Sequence, residues 1–287
     1  MTKALVPQHV GVLGGGRMGA GIAHAFCLAG SRVVVVERDA EAASAALSRV
    51  VKSLETSVAK GATTESLAEL SDRISVGTDY AAFGSTELAI EAVPEDLALK
   101  TRALQEIEQN LSDTAWLASN TSSISIDLLA SHLSRPAQFC GMHFFNPVPA
   151  SRLVEIVVSA AGDPALTEHA RAWVSGLAKT AIVVKDSPGF ASSRLGLALG
   201  LEAIRMLEEG VASAEDIDAA MVLGYQHPIG PLKLTDIVGL DVRLGIAEYL
   251  ASTLGATFEP PALLRTMVSE GHLGRKTGQG FYTWPDA

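Results

Sequence analysis

The chain has 287 residues, enough for two domains of ordinary size, and 48% hydrophobic against 19% charged residues support a substantial core and exclude a disordered or fibrous chain. A net charge of −10, from 22 Lys and Arg against 32 Asp and Glu, argues against a general nucleic-acid binder, while one phosphorylated ligand in a local basic pocket remains compatible with it. No apolar run approaches the roughly 18 to 20 residues of a membrane span, and Met1–Val10 leads into a Gly-rich turn, not toward a cleavage site. Cys27 and Cys140 form neither a disulfide framework nor a metal-binding pair. The expectation is a cytoplasmic protein with both thiols in its core.

In chain order, short β-branched runs alternate with long Ala-rich stretches of helical period, the pattern of βαβ units in a parallel sheet. The first strand is expected at Val10–Leu13, a helix at about Met18–Ala29 with Gly30 just past its end, a second strand at Arg32–Val36, and a helix capped by Asp39 and running to about Lys60. Further strands are expected at Ile74–Val76, Leu88–Ala92, Ala115–Ala118, Phe139–His143, Leu153–Val158 and Ala181–Val184, with helices between them where length allows. At Lys185-Asp-Ser-Pro-Gly-Phe190 the pattern changes to helix, with segments at Arg194–Gly210, at Ser213–Leu223 behind a capping box, and at Asp241–Leu254. The expected fold is α/β: a Rossmann-type, doubly wound, mainly parallel sheet over residues 1–186, then a smaller all-helical domain over 187–287.

Gly14-Gly-Gly16-Arg-Met-Gly19 follows the first strand directly and opens the first helix, the context that makes Gly-x-Gly-x-x-Gly a dinucleotide site. Gly14 serves the tight turn, Gly16 the close approach of a pyrophosphate, and Gly19 the packing of helix on sheet, while the helix N-terminus offers unpaired N–H groups. Glu37, 18 residues beyond Gly19, is placed to accept from the adenosine ribose hydroxyls and to repel a 2′-phosphate, so the cofactor is read as NAD although Arg38 could pair with that phosphate. Met18 and Asn120 are further cofactor candidates.

A second constellation comprises Ser119-Asn-Thr-Ser-Ser123, Gly141-Met-His143-Phe-Phe-Asn-Pro147 and Leu153-Val-Glu155. His143 ends a predicted strand on the carboxyl edge of the sheet, where open α/β folds bind ligands, and a return strand would bring Glu155 beside it. Such a pair fixes the imidazole tautomer and stabilises the imidazolium that forms when a hydroxyl is deprotonated. His9, His24, His132, His169, His227 and His272 read as structural, and no His and Cys cluster has metal-ligand spacing.

Together with Lys185-Asp-Ser-Pro-Gly-Phe190, Gly230-Pro231, Asp236-Ile-Val-Gly-Leu-Asp241 and Lys276-Thr-Gly-Gln-Gly-Phe-Tyr282, these motifs resemble the (S)-3-hydroxyacyl-CoA dehydrogenase family, in order and over nearly the whole chain. The resemblance implies an NAD-binding domain, a helical dimerisation domain with a substrate cleft between the two, and NAD-dependent interconversion of a 3-hydroxyacyl-CoA and a 3-oxoacyl-CoA, with 3-hydroxybutyryl-CoA as the expected substrate. It assigns His143 as catalytic base, Glu155 as its partner, Ser122 and Asn146 to the substrate, and Glu95 and Lys100 to the nicotinamide half of the cofactor. It also points to Arg49, Lys52 and Lys60 for CoA. One position departs: where the family usually carries Asn, this chain has Ser193, which either contacts substrate through a shorter side chain or only caps a helix. Two other readings stay open, a dehydrogenase of free hydroxy or sugar acids and a non-catalytic NAD-binding structural protein of the kind that lens crystallins of this family suggest. The apolar stripes around Leu195–Leu207 and Ile237–Leu250, too many for a small domain to bury alone, lead to the expectation of a homodimer.

Overall fold

The computed structural model describes residues 6–285, so the reading of residues 1–5 lies outside it. The chain divides at Asp186/Ser187 into two compact units. In the first unit, β1 (His9–Leu13), α1 (Arg17–Leu28), β2 (Arg32–Val36), α2 (Ala40–Ala59), α3 (Leu67–Ser71) and β3 (Ile74–Gly77) form one half of a doubly wound sheet. β4 (Leu88–Glu91), α4 (Leu97–Asn110), β5 (Trp116–Ser119), α5 (Ile126–Ala130), β6 (Phe139–Phe144), β7 (Leu153–Val158), α6 (Pro164–Gly176) and β8 (Thr180–Lys185) complete it. The strand order is β3-β2-β1-β4-β5-β6-β7-β8, so the chain reverses direction of growth between β1 and β4, opening a crevice at the carboxyl ends of the strands. Every pairing is parallel except β6 with β7.

Local chemistry explains the elements. The run Arg32-Val-Val-Val-Val36 suits a strand covered on both faces, and Val33, Val35 and Val36 are buried. Asp39 caps α2 by accepting from the Ala42 N–H at 2.7 Å, and Gly30, at φ +103°, ends α1 in a conformation that a side chain resists. One core joins β1, β2, β4 and β6 to α1, α2 and α6 through Val10, Val12, Phe26, Val35, Val50, Leu54, Ile90, Met142 and Trp173. Cys27 and Cys140 lie in it, and burial pushes their thiols up to about 11 and about 12.

The second unit is helical: α7 (Ser192–Glu208), α8 (Ala214–Ala219) continuing into a π-helical turn at Ala220–Gly224, α9 (Pro231–Val238), α10 (Leu240–Leu254) and α11 (Ala262–Ser269). The capping box expected at Ser213 is half made. The Ser213 hydroxyl accepts from the Asp216 N–H at 3.1 Å, but the short Asp216 carboxylate bonds back to that hydroxyl and not to the backbone, whereas the longer Glu69 closes a complete box with Ser66 at α3. The apolar stripes are also better buried than their pattern suggests: Leu197, Leu201, Ile204, Leu240, Ala247 and Leu250 fill the unit's own core, and only Leu195, Ile237, Val238 and Val242 of those stripes stay exposed as large apolar side chains.

Two buried carboxylates tie together three of the sequence motifs of this unit. Asp218 reaches across to the start of α9, where it accepts from the Leu232 and Lys233 N–H groups at 2.8 and 2.9 Å and replaces a local cap. A Cβ at Gly230 would fall 2.2 Å from Asp218, and Pro231 takes the first helical position, where its missing N–H costs nothing. Asp236 accepts from the N–H groups of Phe281 and Tyr282 and the Trp284 indole, each at 2.9 Å, and so ties the last segment to α9. Lys276 is ion-paired with Asp241 at 2.6 Å.

Candidate active site

The glycine turn after β1 has the shape of an anion cradle. Gly14 sits at φ +89°, a Cβ at Gly19 would meet the Gly14 carbonyl oxygen at 1.7 Å, and a Cβ at Gly16 would meet nothing within 4 Å. The first two demands are internal, and the open space at Gly16 is where a phosphate can approach the backbone. No side chain caps α1, so its first N–H groups remain available to such a ligand. Gly15, an unspecified position of the motif, is also required: a Cβ there would lie 2.2 Å from the Ala46 Cβ of α2.

Beside this turn lies a cavity of about 580 Å³ whose wall includes Gly14, Gly16, Met18, Glu37, Tyr80 and Arg102. Glu37 follows β2 and its carboxylate accepts from the Gly15 N–H at 2.6 Å, which fixes a negative charge at the rim. Arg38 is exposed and paired with Asp39 at 3.0 Å. Tyr80 and Arg102 carried no signal in the sequence, because they come from a 3₁₀ turn and from α4, remote from the motif.

A second cavity of about 330 Å³ shares Met18, Ala92 and Val93 with the first, and His143, Ser122, Asn120 and Asn146 line it. Here the single antiparallel pairing matters. In the β6–β7 register His143 stands directly opposite Glu155, and His143 Nδ1 lies 2.8 Å from Glu155 Oε2. Glu155 is fully buried and His143 nearly so, with the Phe145 ring 4.3 Å from the imidazole, centroid to centroid. A carboxylate only accepts, so Nδ1 carries the proton and Nε2 the lone pair of a base. His24, by contrast, is buried in the first helix with Nε2 2.8 Å from the Ser57 hydroxyl, and burial together with the Lys179 charge holds it below the ordinary histidine range.

The turn after β5 is held by Glu95. Its Oε1 accepts from the Thr121 hydroxyl at 2.6 Å, the Ser122 and Ser123 N–H groups at 2.9 and 3.0 Å, and the Ser122 hydroxyl at 3.3 Å. Burial alone would raise the Glu95 carboxyl, but the Lys100 charge and these donors outweigh it and hold it below the usual range. Asn120 Oδ1 accepts from the Phe144 N–H at 2.9 Å, tying this turn to β6. Lys100 also lines this cavity, and its ammonium, on a residue only 1% exposed, bonds to Glu91 Oε1 at 2.8 Å and the Val93 carbonyl at 3.1 Å and lies 3.3 Å from Glu95 Oε2. It serves the cavity as the counter-ion of Glu95.

Arg49 and Lys52 of α2 and Lys60, its C-cap, fall on one exposed side, since at about 100° per residue the three positions lie within about 80° of one another. Arg49 is partly committed, donating to the Gly15 carbonyl at 3.1 Å. Ser193 belongs to the second unit, inside the first turn of α7. The N-cap is Ala191, with no side-chain cap, so the reading of Ser193 as a helix cap is overturned: the helix starts earlier than its apolar period suggests. Among the described residues no group of three or more His, Cys, Asp and Glu is placed to hold a metal ion, and no helix is long and apolar enough to cross a membrane.

Comparison with known proteins gives this geometry a family. A family model described as the 3-hydroxyacyl-CoA dehydrogenase NAD binding domain matches residues 9–187, and the C-terminal domain of the same family matches 189–284. A protein named 3-hydroxybutyryl-CoA dehydrogenase from Mycobacterium tuberculosis is 41% identical over 281 residues, covering 96% of this chain and 98% of its own length. The mitochondrial hydroxyacyl-coenzyme A dehydrogenase of Homo sapiens is 36% identical, with 99% of this chain and 93% of that protein covered. The crystal structure of an (S)-3-hydroxybutyryl-CoA dehydrogenase from Ralstonia eutropha superposes with a TM-score of 0.94 at 40% identity, covering 98% of this chain and all of that one. A glycine cradle, an adjoining cavity with a His-Glu pair, and these matches over both units lead to one conclusion: the chain belongs to the 3-hydroxyacyl-CoA dehydrogenase family and is an NAD-dependent oxidoreductase.

Proposed function

We propose that this protein interconverts 3-hydroxybutyryl-CoA and its 3-oxoacyl counterpart, with His143 as general base, Glu155 as its partner and Ser122 as the hydroxyl that orients the substrate's 3-oxygen. The observation that carries this reading is the His143–Glu155 pair, set cross-strand at 2.8 Å on the carboxyl edge of the sheet in a cavity adjoining the glycine cradle. NAD fits the cradle because Gly16 leaves room for a phosphate against the backbone, and Gly14, Gly16, Gly19, Met18, Glu37 and Asn120 would hold it. When bound it supplies the hydride acceptor.

In the oxidation direction His143 Nε2 takes the 3-hydroxyl proton. The imidazolium so formed is stabilised by Glu155, whose carboxylate is already placed and already stripped of water. The Ser122 hydroxyl donates to the 3-oxygen, and Asn146 presents its amide to the same cavity. In reduction the imidazolium returns the proton. The stripe of Arg49, Lys52 and Lys60 offers positive charge to CoA phosphates, and Ser193 contributes a hydroxyl to substrate positioning. The enzyme works as a cytoplasmic homodimer in fatty-acyl thioester metabolism; the exposed Leu195, Ile237, Val238 and Val242 of the helical unit support a self-association surface, and two buried free thiols suit a reducing compartment.

The decisive experiment measures NADH formation with (S)-3-hydroxybutyryl-CoA, longer 3-hydroxyacyl-CoA thioesters, free 3-hydroxybutyrate and sugar acids, each with NAD and NADP. Turnover is expected with the thioesters and NAD, highest for the four-carbon chain. Preference for a free acid overturns the substrate assignment, and preference for NADP overturns the role of Glu37.

A further inference from the structure

Glu91 ends β4 with no exposed surface, and it touches neither cavity. We propose that Glu91 is a positioning residue for the reaction: from behind the cavity wall it fixes the Thr121–Ser123 turn and thereby the Ser122 hydroxyl. The proposal rests on the assignment of Ser122 made above.

Two side-chain routes lead from Glu91 to that turn. Along the first, Glu91 Oε2 accepts from the Ser119 hydroxyl at 2.6 Å, and Ser119 Oγ accepts in turn from the Thr121 N–H at 3.2 Å. Along the second, Glu91 Oε1 accepts from the Lys100 ammonium at 2.8 Å, Lys100 lies 3.3 Å from Glu95 Oε2, and Glu95 Oε1 grips Thr121, Ser122 and Ser123. Oε1 also accepts from the Val93 N–H at 2.6 Å, which fixes the carboxylate itself. Both routes converge on three consecutive residues, of which the middle one carries the hydroxyl that orients the substrate.

Charge explains why a carboxylate is required at this depth. An ammonium as buried as that of Lys100 is tolerated only when paired and hydrogen-bonded, and Glu95, whose side chain is 36% exposed, has its other oxygen occupied by the turn. Glu91 therefore supplies the compensating charge and leaves Glu95 free to hold the turn. Two carboxylates share one ammonium, so the cluster keeps a negative charge on its cavity side, where the N–H and O–H groups of the turn are drawn to it. Of the bonds to Glu95 Oε1 the Ser122 hydroxyl makes the longest, at 3.3 Å against 2.6 to 3.0 Å for the others. The backbone of Ser122 is thus clamped while its hydroxyl is the group most easily released to a substrate oxygen.

The test is a double-mutant cycle on kcat with 3-hydroxybutyryl-CoA, using Glu91→Gln, Ser122→Ala and the pair, with NADH binding followed by fluorescence and folding by thermal melting. Glu91→Gln is expected to lower kcat roughly tenfold, to leave NADH affinity within about twofold, and to change kcat less than about twofold once Ser122 is already Ala, because it acts through that hydroxyl. An equal loss on both backgrounds means a merely structural role and overturns the proposal, as does wild-type kcat in Glu91→Gln. If Ser122→Ala alone keeps wild-type kcat, the assignment of Ser122 fails instead. Should Glu91→Gln not fold, Ser119→Ala breaks the first route without altering charge; it is expected to lower kcat by about two- to fivefold, again only when Ser122 is present, and a loss independent of Ser122 overturns the proposal.

Discussion

The surroundings of the catalytic cavity and the helical unit treat buried carboxylates in opposite ways. In the first, Glu91 and Glu155 each face a cationic or proton-sharing partner, Lys100 and His143, next to that cavity, whereas Glu108, elsewhere in the same unit, accepts from the Ser134 and Arg135 N–H groups. In the second, Asp218 and Asp236 take their bonds from backbone N–H groups, a Tyr hydroxyl and a Trp indole, while the buried guanidinium of Arg243 has no ion-pair partner among the described residues and its Nε lacks any hydrogen bond. A carboxylate against an imidazole or ammonium can hold, move or balance charge. One against backbone N–H groups can only fasten one segment to another. Charge paired with charge therefore marks the surroundings of the cavity, and charge paired with backbone marks segments that are held in shape.

That contrast can be broken at several points. His143→Gln is expected to keep fold and NADH binding and to lose about 10² to 10⁴ in kcat, the usual consequence of removing a positioned general base, with Glu155→Gln losing less; a near wild-type kcat in His143→Gln breaks the mechanism. Asp236→Asn turns an acceptor into a donor facing buried N–H groups, so chemical denaturation should show at least about 2 kcal/mol of lost stability, while kcat per folded molecule stays within about twofold. A large kcat loss without destabilisation would place Asp236 among the reacting groups. Arg243→Met removes an uncompensated buried cation, whose burial already pushes its pKa down to about 10, and should leave stability unchanged or raise it by about 1 kcal/mol. A clear fall in Tm would mean that an anion outside the described contacts completes the site. The smallest effect belongs to Ser193→Ala: since Ala191 is the N-cap, stability should move by less than about 0.5 kcal/mol, and any change in KM or kcat then reports on substrate.

Much of this was legible along the chain. The alternation of Val-rich runs with Ala-rich helices predicts every strand of the sheet to within a residue or so at each end, because local periodicity and burial on both faces act together there. His143 and Glu155 stand out as residue types at strand positions twelve apart. That they meet depends on the β6–β7 register, in which a slip of one residue would turn Glu155 to the opposite face. Glu91 offered nothing to recognise, since a carboxylate closing an apolar strand looks like an ordinary exposed strand end until α4 lays Lys100 across it.

Composition, period and the glycine spacing are local properties, and they suffice for the class of fold, the cofactor cradle and the residue types of the catalytic pair. Which groups share a charge, which apolar side chains of the helical unit stay outside its core, and where α7 begins are settled only when remote segments pack. Desolvation and counter-charge are properties of that packing, and the same Lys, Glu or Arg costs little in water and several kcal/mol without a partner inside.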